Sequence, residues 1–413
     1  MKEPLIGACL VGQSGGPTSV INASLYGVIS AALASPNVTR VLGAAHGIRG
    51  VLDDCLYDLG LEDPAELALL RNTPSSALGS VRYKLKDPDT NPTDYARILE
   101  IFQKYNVRYF FYIGGNDSMD TCLMVHRYMA AHGWDCRVIG VPKTIDNDLN
   151  ATDHCPGYGS AAKYIATTMM ELYLDATVYD TGMITVVEIM GRNAGWLTGA
   201  AALASARGAG PDLIYLPELP FDMDRFFADV QRVYDQKKKV LIAVSEGIQD
   251  ASGRYISEYG AAASSDAFGH VQMGGLAAIL AALLKDRFDT KVRGIELSLL
   301  QRCAAHCASR TDIDEAFSAG RAAVDLAQKG ESGYMIGFAR EPGTEYACRM
   351  VPVPLDECAN AERKVPLSWI TPDGCGVTKD FLDYAAPLVL GEPDRALEDG
   401  LPRFASLKKV LAQ

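Results

Sequence analysis

The 413-residue sequence lacks the features that mark several classes of protein. Lysine and arginine never form a run longer than three, at 237–239, and the net charge is −12 (39 basic minus 51 acidic side chains). A basic nucleic-acid-binding surface is therefore not expected. The longest later apolar run, 276–284, is too short to cross a bilayer, and glycines and polar residues interrupt the apolar start at once, unlike a secretory signal.

A disulfide framework is also missing, because the ten cysteines are scattered singly along the chain. This distribution favours reduced thiols, so we expect a cytoplasmic protein with no membrane and no nucleic-acid partner. Cys303, His306 and Cys307 form the one closely spaced group of metal-ligand types. No second group accompanies them, and we interpret them as packing residues on a helix.

Length and composition predict a large globular protein. Hydrophobic residues make up 48% and charged residues 22%, so a sizeable core can be buried. The length favours two or three units. Glycine occurs 38 times, above the roughly 29 expected from average usage, which indicates tight turns or close approaches of the backbone to a ligand.

Short apolar runs alternate with segments of helical period, which predicts an α/β doubly wound fold. The runs are uniformly apolar, as in parallel strands that are covered on both faces. The predicted strands are 5–11, 41–45, 109–113, 138–141, 184–190, 213–216 and 240–244. The predicted helices are 21–33, with Thr18 or Ser19 as N-cap, and 93–105, 117–132, 158–177, 194–208, 223–237, 271–288 and 312–329.

We divide the chain into three parts. A break at Pro156-Gly157 separates a first lobe, 1–156, from a second lobe, 157–341. Beyond 342 proline becomes more frequent and the strand–helix rhythm is lost, so 342–413 is expected to pack across the two lobes.

Polar and glycine-rich segments follow five of the predicted strands, at 12–17, 114–118, 142–148, 191–193 and 245–247. In open parallel sheets, ligands bind beyond the carboxyl ends of the strands. Adjacent glycines before a helix can wrap an anion with backbone amides. Two such cradles, a lysine, an arginine and several carboxylates together favour transfer of a phosphoryl group to a hydroxyl.

These segments resemble, in order, motifs of the phosphofructokinase family. The resemblance runs from about residue 5 to about 330, and the string Thr-Ile-Asp-Asn-Asp is its most specific part. The matching segments are Ser14-Gly15-Gly16, Leu78-Gly79-Ser80-Val81-Arg82, Gly114-Gly115-Asn116-Asp117-Ser118, Thr144-Ile145-Asp146-Asn147-Asp148, Met190-Gly191-Arg192, Glu246-Gly247 and Gln301-Arg302. The resemblance implies two doubly wound, mostly parallel lobes, with the active site in the cleft between them. The first lobe would then bind the phosphoryl donor and the second the sugar phosphate.

The resemblance also implies a role for each matching residue. Asp146 is expected to take the proton from the 1-hydroxyl of fructose 6-phosphate, Thr144 to steady the sugar or the phosphoryl group, and Asp148 and Asn116 to face Mg²⁺. The residues expected to bind the sugar phosphate are Met190, Gly191, Arg192, Glu246, Arg293 and Arg302. Arg293 would reach in from a neighbouring subunit, which implies a homo-oligomer, either a dimer or a tetramer.

Two positions bear on the phosphoryl donor. Asp117 and Lys143 stand where ATP-using relatives have glycine. A carboxylate at 117 would repel a nucleotide α-phosphate by roughly 4 kcal/mol at 4 Å and an effective dielectric of 20, whereas a lysine at 143 would attract a short anion. This pair of residues resembles the pyrophosphate-dependent branch of the family, which implies a reversible reaction. In that branch, the backbone amides of Gly15, Gly16 and Gly115 are expected to bind pyrophosphate, and Arg82 is expected to neutralise its charge.

Three positions depart from the better-known family pattern. Asn116 replaces an aspartate at the metal-facing site, although an amide oxygen can still bind a metal. Met183 and Leu299 replace an arginine and a histidine that bind the 6-phosphate in bacterial ATP-using members. Lys291, Gln301 and His306 are the candidates to replace those contacts, and the sequence does not rank them.

Three other functions remain as alternatives. The first is an ATP-dependent phosphofructokinase, which 117 and 143 disfavour. The second is an NAD kinase, which resembles the sequence only around 114–118 and lacks the string at 144–148. The third is an inactive sugar-phosphate sensor, which the intact Asp146 disfavours. Sequence alone leaves open whether an effector regulates the protein and whether sedoheptulose 7-phosphate is accepted.

Overall fold

The computed structural model describes residues 5–259, 275–358 and 362–413. Strands and helices alternate through most of this chain. In chain order the strands are β1 (Gly7–Gln13), β2 (Val38–Ala44), β3 (Leu56–Asp58), β4 (Val107–Gly114), β5 (Arg137–Pro142), β6 (Met183–Ile189), β7 (Leu213–Tyr215), β8 (Lys239–Ser245), β9 (Lys291–Glu296), β10 (Tyr334–Arg340), β11 (Cys348–Pro354), β12 (Leu397–Glu398) and β13 (Leu401–Pro402).

The helices cover both sheets and range from one turn to twenty residues. In chain order they are α1 (Ile21–Ala34), α2 (Ile48–Leu52), α3 (Pro64–Leu69), α4 (Pro92–Lys104), α5 (Asn116–Ala131), α6 (Tyr158–Thr177), α7 (Trp196–Ala200), α8 (Ala202–Ser205), α9 (Met223–Lys237), α10 (Leu276–Lys285), α11 (Leu300–Cys303), α12 (Arg310–Gln328), α13 (Leu355–Cys358) and α14 (Lys379–Ala385). In the part of the chain that the structure describes, none of these helices is long and apolar enough to span a membrane.

Two sheets organise the fold. Seven of the described strands form the first sheet in the order β11-β10-β5-β4-β1-β2-β3, and only the edge strands β3 and β11 run antiparallel to their neighbours. The second sheet is parallel, with the order β7-β8-β6-β9. Strands β1, β5 and β6 are buried along their whole length, as their predominantly apolar sequences predict. The α/β prediction with two mostly parallel sheets is confirmed.

The boundary that we placed at 341 does not coincide with the division between the sheets. Strand β10 pairs with β5 of the first sheet, and α12 packs along α1. Two glycines allow this contact: a Cβ at Gly27 would lie 2.1 Å from the Phe317 carbonyl oxygen, and one at Gly320 would lie 2.1 Å from that of Ser24. The chain therefore returns to the first lobe well before 341, at α12.

Several local predictions were wrong. The N-cap position of α1 is Val20, and neither Thr18 nor Ser19 caps it. The helix predicted over 194–208 is two short helices, α7 and α8. Of the helix predicted over 271–288, α10 covers 276–285, and residues 271–274 lie outside the described residues.

The segment after β11 contacts both lobes. Phe381 and Tyr384 of α14 pack with Trp196 in the core of the second lobe. Further along, Leu407 packs against the core of the first lobe, and Leu411 forms an isolated bridge with Tyr57 at the edge of the first sheet.

Candidate active site

A cleft of about 870 Å³ lies at the carboxyl ends of β1, β4, β5, β6 and β8, where both sheets contribute loops. Most of the residues predicted from sequence line it together. They are Gly15, Gly16, Arg82, Gly115, Asn116, Asp117, Lys143, Thr144, Asp146, Asp148, Met190, Arg192, Glu246 and Arg302. Because they come from loops that are distant in sequence, the parallel topology is what gathers them.

The diglycine loop after β1 lies against two cationic side chains. Gly15 has a φ of 74°, a backbone conformation that favours glycine. A Cβ at Gly15 would lie 3.2 Å from Nζ of Lys143, and one at Gly16 would lie 3.0 Å from Nη1 of Arg302. The absence of side chains therefore brings the loop backbone close to both cations.

Lys143 is buried, with 4% of its surface exposed, and its Nζ donates to the carbonyl oxygen of Gly16 at 2.6 Å. Burial lowers the pKa of Lys143 to about 8, against the opposing attraction of Asp146 and Asp148. The ammonium thus lies in a site that water does not fully solvate. An anion bound beside it would stabilise its charged form.

Arg82 and Arg302 complete a cationic cluster with Lys143. Burial lowers the pKa of Arg302, and repulsion from Arg82 lowers it further. Repulsion from both arginines also lowers the pKa of Lys143. Three neighbouring cations are unusual in a chain of net charge −12. Repulsion among the three positive charges costs free energy, and a bound polyanion would remove that cost. The cluster is therefore a strong candidate for an anion site.

The buried side chain of Asn147 holds the loop after β5 in place. Asn147, with a φ of 56°, is fully buried. Its Oδ1 accepts from the Cys155 amide at 2.9 Å and its Nδ2 donates to the Tyr384 hydroxyl at 2.7 Å. Its two neighbours, Asp146 and Asp148, line the cleft on the other side.

The environment of Asp146 suits a proton acceptor. Burial raises its pKa to about 7, and repulsion from Asp148 and Glu246 acts in the same direction. Its amide donates to Oγ1 of Thr144 at 3.1 Å, which orders the turn. A carboxylate with such a pKa accepts a proton more readily than an ordinary aspartate near neutral pH.

Asn116 and Asp148 form an oxygen-rich corner of the cleft. Nδ2 of Asn116 donates to Oδ2 of Asp148 at 3.4 Å, and burial raises the pKa of Asp148. Oδ1 of Asn116 is buried and has no hydrogen-bond partner among the described residues. An orphaned amide oxygen beside a carboxylate fits a hard divalent cation such as Mg²⁺.

Asp117 occupies the first turn of α5, on the open side of the cleft. Its carboxylate accepts from Nζ of Lys84 at 3.2 Å, and both side chains are more than half exposed. Lys84 also lines the cleft, and the sequence analysis did not single it out. It lies two residues beyond Arg82 in the same segment, which was the only available signal.

The second lobe contributes the opposite wall. The Gly191 amide donates toward Oε1 of Glu246 at 3.4 Å, and burial raises the pKa of Glu246. Nε of Arg192 is buried without a partner among the described residues, so this side chain has unused hydrogen-bonding capacity. Gly191 lies behind the lining residues rather than among them.

The candidates for the missing 6-phosphate contacts separate in the structure. Gln301 is buried, and its Oε1 accepts from the Met190 amide at 3.2 Å, so it supports the wall of the cleft. Lys291 contacts the ring of Tyr179, and His306 packs edge-on to Tyr164. Neither of these two lines the cleft of this chain. The replaced positions, buried Met183 and exposed Leu299, do not line it either.

Arg293 also lies away from this cleft. It stands on β9, the edge strand of the second sheet, and pairs with Asp175 at 3.5 Å. Its side chain is 40% exposed, so it is accessible to another molecule. The group at 303–307 is dispersed: Cys303 is exposed, whereas the thiol of Cys307 donates to Thr167.

Comparison with known proteins gives concordant matches. The phosphofructokinase family model matches residues 8–295. Proteins named pyrophosphate–fructose 6-phosphate 1-phosphotransferase from Xanthomonas campestris and Halomonas elongata are 45% and 42% identical, covering 98% and 96% of this chain and 97% and 95% of their own length. A crystal structure of a pyrophosphate-dependent phosphofructokinase from Marinobacter aquaeolei superposes with a TM-score of 0.89 at 37% identity, covering 99% of this chain and 98% of that one.

Proposed function

Because the chain belongs to the phosphofructokinase family, we propose that it transfers a phosphoryl group from inorganic pyrophosphate to the 1-hydroxyl of fructose 6-phosphate. The products are fructose 1,6-bisphosphate and phosphate, and the reaction is reversible. The observation that carries the proposal is the cluster of Lys143, Arg82 and Arg302 around the diglycine loop, opposite Asp146.

Asp146 acts as the general base. Its ionised carboxylate accepts the proton of the 1-hydroxyl as the oxygen attacks phosphorus, and its raised pKa makes it basic enough near neutral pH. Thr144, which holds the turn through the Asp146 amide, keeps the carboxylate at the cleft surface. Phosphoryl transfer needs little more than alignment and charge stabilisation, which this loop and the cations opposite it provide.

The donor site is built for a short anion. Amides of Gly15, Gly16 and Gly115 surround it, while Lys143 stabilises the leaving phosphate and Arg82 neutralises the far side. The resemblance places Asp117 where a nucleotide would extend, and its exposed carboxylate, which pairs with Lys84, would repel the nucleotide phosphates. The same features disfavour ATP as donor.

Asn116 and Asp148 would hold Mg²⁺, because they present an unpaired amide oxygen and a carboxylate side by side. A divalent cation held there would supply positive charge that offsets the negative charge of the phosphoryl oxygens.

The second lobe holds the sugar phosphate. Glu246 accepts hydrogen bonds from sugar hydroxyls, with Met190 and Arg192 beside it and Gly191 behind it. The resemblance assigns Arg302 to the 6-phosphate, but its guanidinium lies against the diglycine loop, so we assign it to the cationic cluster of the donor site. The exposed guanidinium of Arg293 would serve the cleft of a second copy, so we propose a homo-oligomer. Mixing Arg293→Ala subunits with Asp146→Asn subunits is expected to restore activity through hybrid sites, whereas no recovery in mixed oligomers would contradict this role.

The test of the function is formation of fructose 1,6-bisphosphate with pyrophosphate and with ATP, measured side by side with and without Mg²⁺. Activity with pyrophosphate that requires Mg²⁺, together with little activity with ATP, is the expected result. A preference for ATP would establish the ATP-dependent alternative. Binding of fructose 6-phosphate without turnover from either donor would establish the sensor.

A further inference from the structure

The cleft receives two side chains from beyond the region matched by the family model: Arg302 and, from the C-terminal segment, Glu362. Glu362 lines the cleft, whereas that match ends at residue 295. Its neighbour, Arg363, is half-buried. Both residues therefore belong to the C-terminal segment and yet lie at the site.

Arg363 is attached to the loop that carries the predicted base. Its amide donates to the carbonyl oxygen of Asp148 at 2.8 Å, and its Nη1 donates to the carbonyl oxygens of Thr152, at 2.9 Å, and Asp153. Its Nη2 donates to the Tyr384 hydroxyl at 2.9 Å. One guanidinium thus donates to two backbone carbonyls of the loop and to the Tyr384 hydroxyl, and these hydrogen bonds are costly to lose where water has limited access.

Tyr384 reinforces the same loop. Its hydroxyl donates to the carbonyl oxygen of Asp153 at 2.7 Å and accepts from Nδ2 of Asn147. Asn147 lies between the two cleft aspartates. The C-terminal segment therefore contacts this loop at 147–149 and at 152–153, directly after Asp146.

Glu362 and Arg363 also contact the second lobe. Nδ2 of Asn193, next to Arg192, donates to Oε1 of Glu362 at 2.9 Å, and Nε1 of Trp196 donates to the carbonyl oxygen of Arg363 at 3.0 Å. The Arg363 guanidinium lies 4.3 Å from the centroid of the Trp196 ring. Backbone pairing of Leu149 with Glu362 completes the connection to the first lobe.

We propose that Glu362 and Arg363 form a clamp that fixes the Asp146 loop of the first lobe against the 191–194 loop of the second. Both are positioning residues. Arg363 fixes the conformation of the loop through its hydrogen bonds, and Glu362 links the loop to Asn193 at the cleft surface. The proposal deepens the proposed function and rests on it for the identity of the reaction.

The clamp acts on alignment more than on binding. The base belongs to one lobe and the sugar wall to the other, so their separation depends on a contact that spans both. A displacement of about 1 Å at a reacting centre can cost about 100-fold in rate. Loss of the clamp should therefore lower kcat more than it raises either KM.

Glu362 offers the sharper test because it is exposed and its replacement should not impair folding. In Glu362→Ala we expect kcat to fall at least fivefold, with both KM values within twofold of wild type. Glu362→Gln retains an acceptor for Asn193 and should restore kcat to within twofold of wild type. Glu357→Ala, which removes an exposed carboxylate from the same segment, is the control and should match wild type. An unchanged kcat in Glu362→Ala, or equal loss in the Gln variant, overturns the clamp.

Arg363→Lys retains the charge but cannot reach all the acceptors of the guanidinium, so kcat should fall at least tenfold. Hydrogen exchange in the ligand-free protein provides a readout that is independent of turnover. Peptides covering 146–155 should exchange at least fivefold faster in Arg363→Lys, and peptides covering 191–194 at least fivefold faster in Glu362→Ala, while β1 peptides stay unchanged. Unchanged exchange at 146–155 in the first variant, or at 191–194 in the second, contradicts the clamp. An inactive wild-type protein with this exchange pattern would reject the proposed function alone.

Discussion

Two loops of the first sheet, Gly114–Ser118 after β4 and Lys143–Asp148 after β5, face the same cleft but place their charges differently. In the first, the Asp117 carboxylate is 60% exposed and pairs with the equally accessible Lys84. In the second, Lys143 is 4% exposed and Asp146 and Asp148 have raised pKa values because they are buried.

The difference separates two ways of using a charged side chain. Burial shifts the pKa values of Lys143 and Asp146 toward neutrality, to about 8 and about 7, and so equips the second loop for proton transfer and for stabilising a leaving phosphate. Asp117 contributes by its position and charge at the mouth of the donor site. We therefore expect changes in the buried loop to affect the rate and, at Lys143, also the choice of donor, whereas changes at Asp117 in the exposed loop should affect the choice of donor alone.

The largest expected effect is that of Asp146→Asn. The amide cannot accept the hydroxyl proton, so kcat should fall about 1,000-fold or more. Titration calorimetry should show fructose 6-phosphate affinity within about threefold of wild type, because the amide is isosteric. A variant that retains more than a tenth of the wild-type kcat would show that Asp146 is not the base.

Lys143→Met should have the next largest effect, a loss of about 100-fold in kcat with pyrophosphate, because the ammonium that stabilises the leaving phosphate is removed. Steady-state kinetics with saturating fructose 6-phosphate measures it. The exposed neighbour Lys84→Met serves as the control and should lose no more than about threefold. Equal losses in the two variants would contradict the distinction between the loops.

The same lysine predicts a pH dependence. Its pKa lies at about 8 in the free protein, so kcat/KM for pyrophosphate should fall as pH rises above 8 and the cation is lost. Lys143→Arg keeps its charge at these pH values, so its residual kcat/KM should stay level between pH 7.5 and 9.5. A falling limb that persists in the arginine variant would assign the titration to another group.

The strands and site motifs that sequence predicts are those with local signals. Fully buried strands such as β1 and β5 are continuous apolar runs, and each site motif is a short stretch directly after such a strand. Strands β9 and β11 were missed because they are partly exposed edge strands that include charged residues. Strand β10 was missed although it contains a run of four buried residues.

The rest of the site depends on contacts between distant segments. Glu362 and Arg363 meet the 144–153 loop only through tertiary packing, and nothing in their own neighbourhood resembles a site. The pKa shifts of Lys143 and Asp146 arise from burial and from charges brought in by other loops. The cationic cluster likewise forms only because the fold brings Arg82 and Arg302 close to Lys143, and their spacing in the sequence does not indicate this.

A smaller effect concerns the stability of the buried loop. Burial alone would lower the pKa of His154, but hydrogen bonds with Asp153 and Glu315 raise it to about 8 from 6.5. The protonated ring therefore contributes about 2 kcal/mol to the free energy of unfolding below pH 6.5, and this is lost as pH rises through 8. Between pH 6 and pH 9, the free energy of unfolding measured with denaturant should fall by about 2 kcal/mol more in wild type than in His154→Gln. The same fall in both proteins would exclude the histidine.

The central claim is that Asp117 and Lys143 select pyrophosphate over a nucleotide. The most direct test is to measure kcat/KM for pyrophosphate and for ATP, both in wild type and in the double variant Asp117→Gly/Lys143→Gly. We predict that pyrophosphate is preferred by wild type, that the double variant loses turnover with pyrophosphate and gains it with ATP, and that the ratio of the two constants shifts at least tenfold. A ratio that is the same in both proteins would contradict the claim.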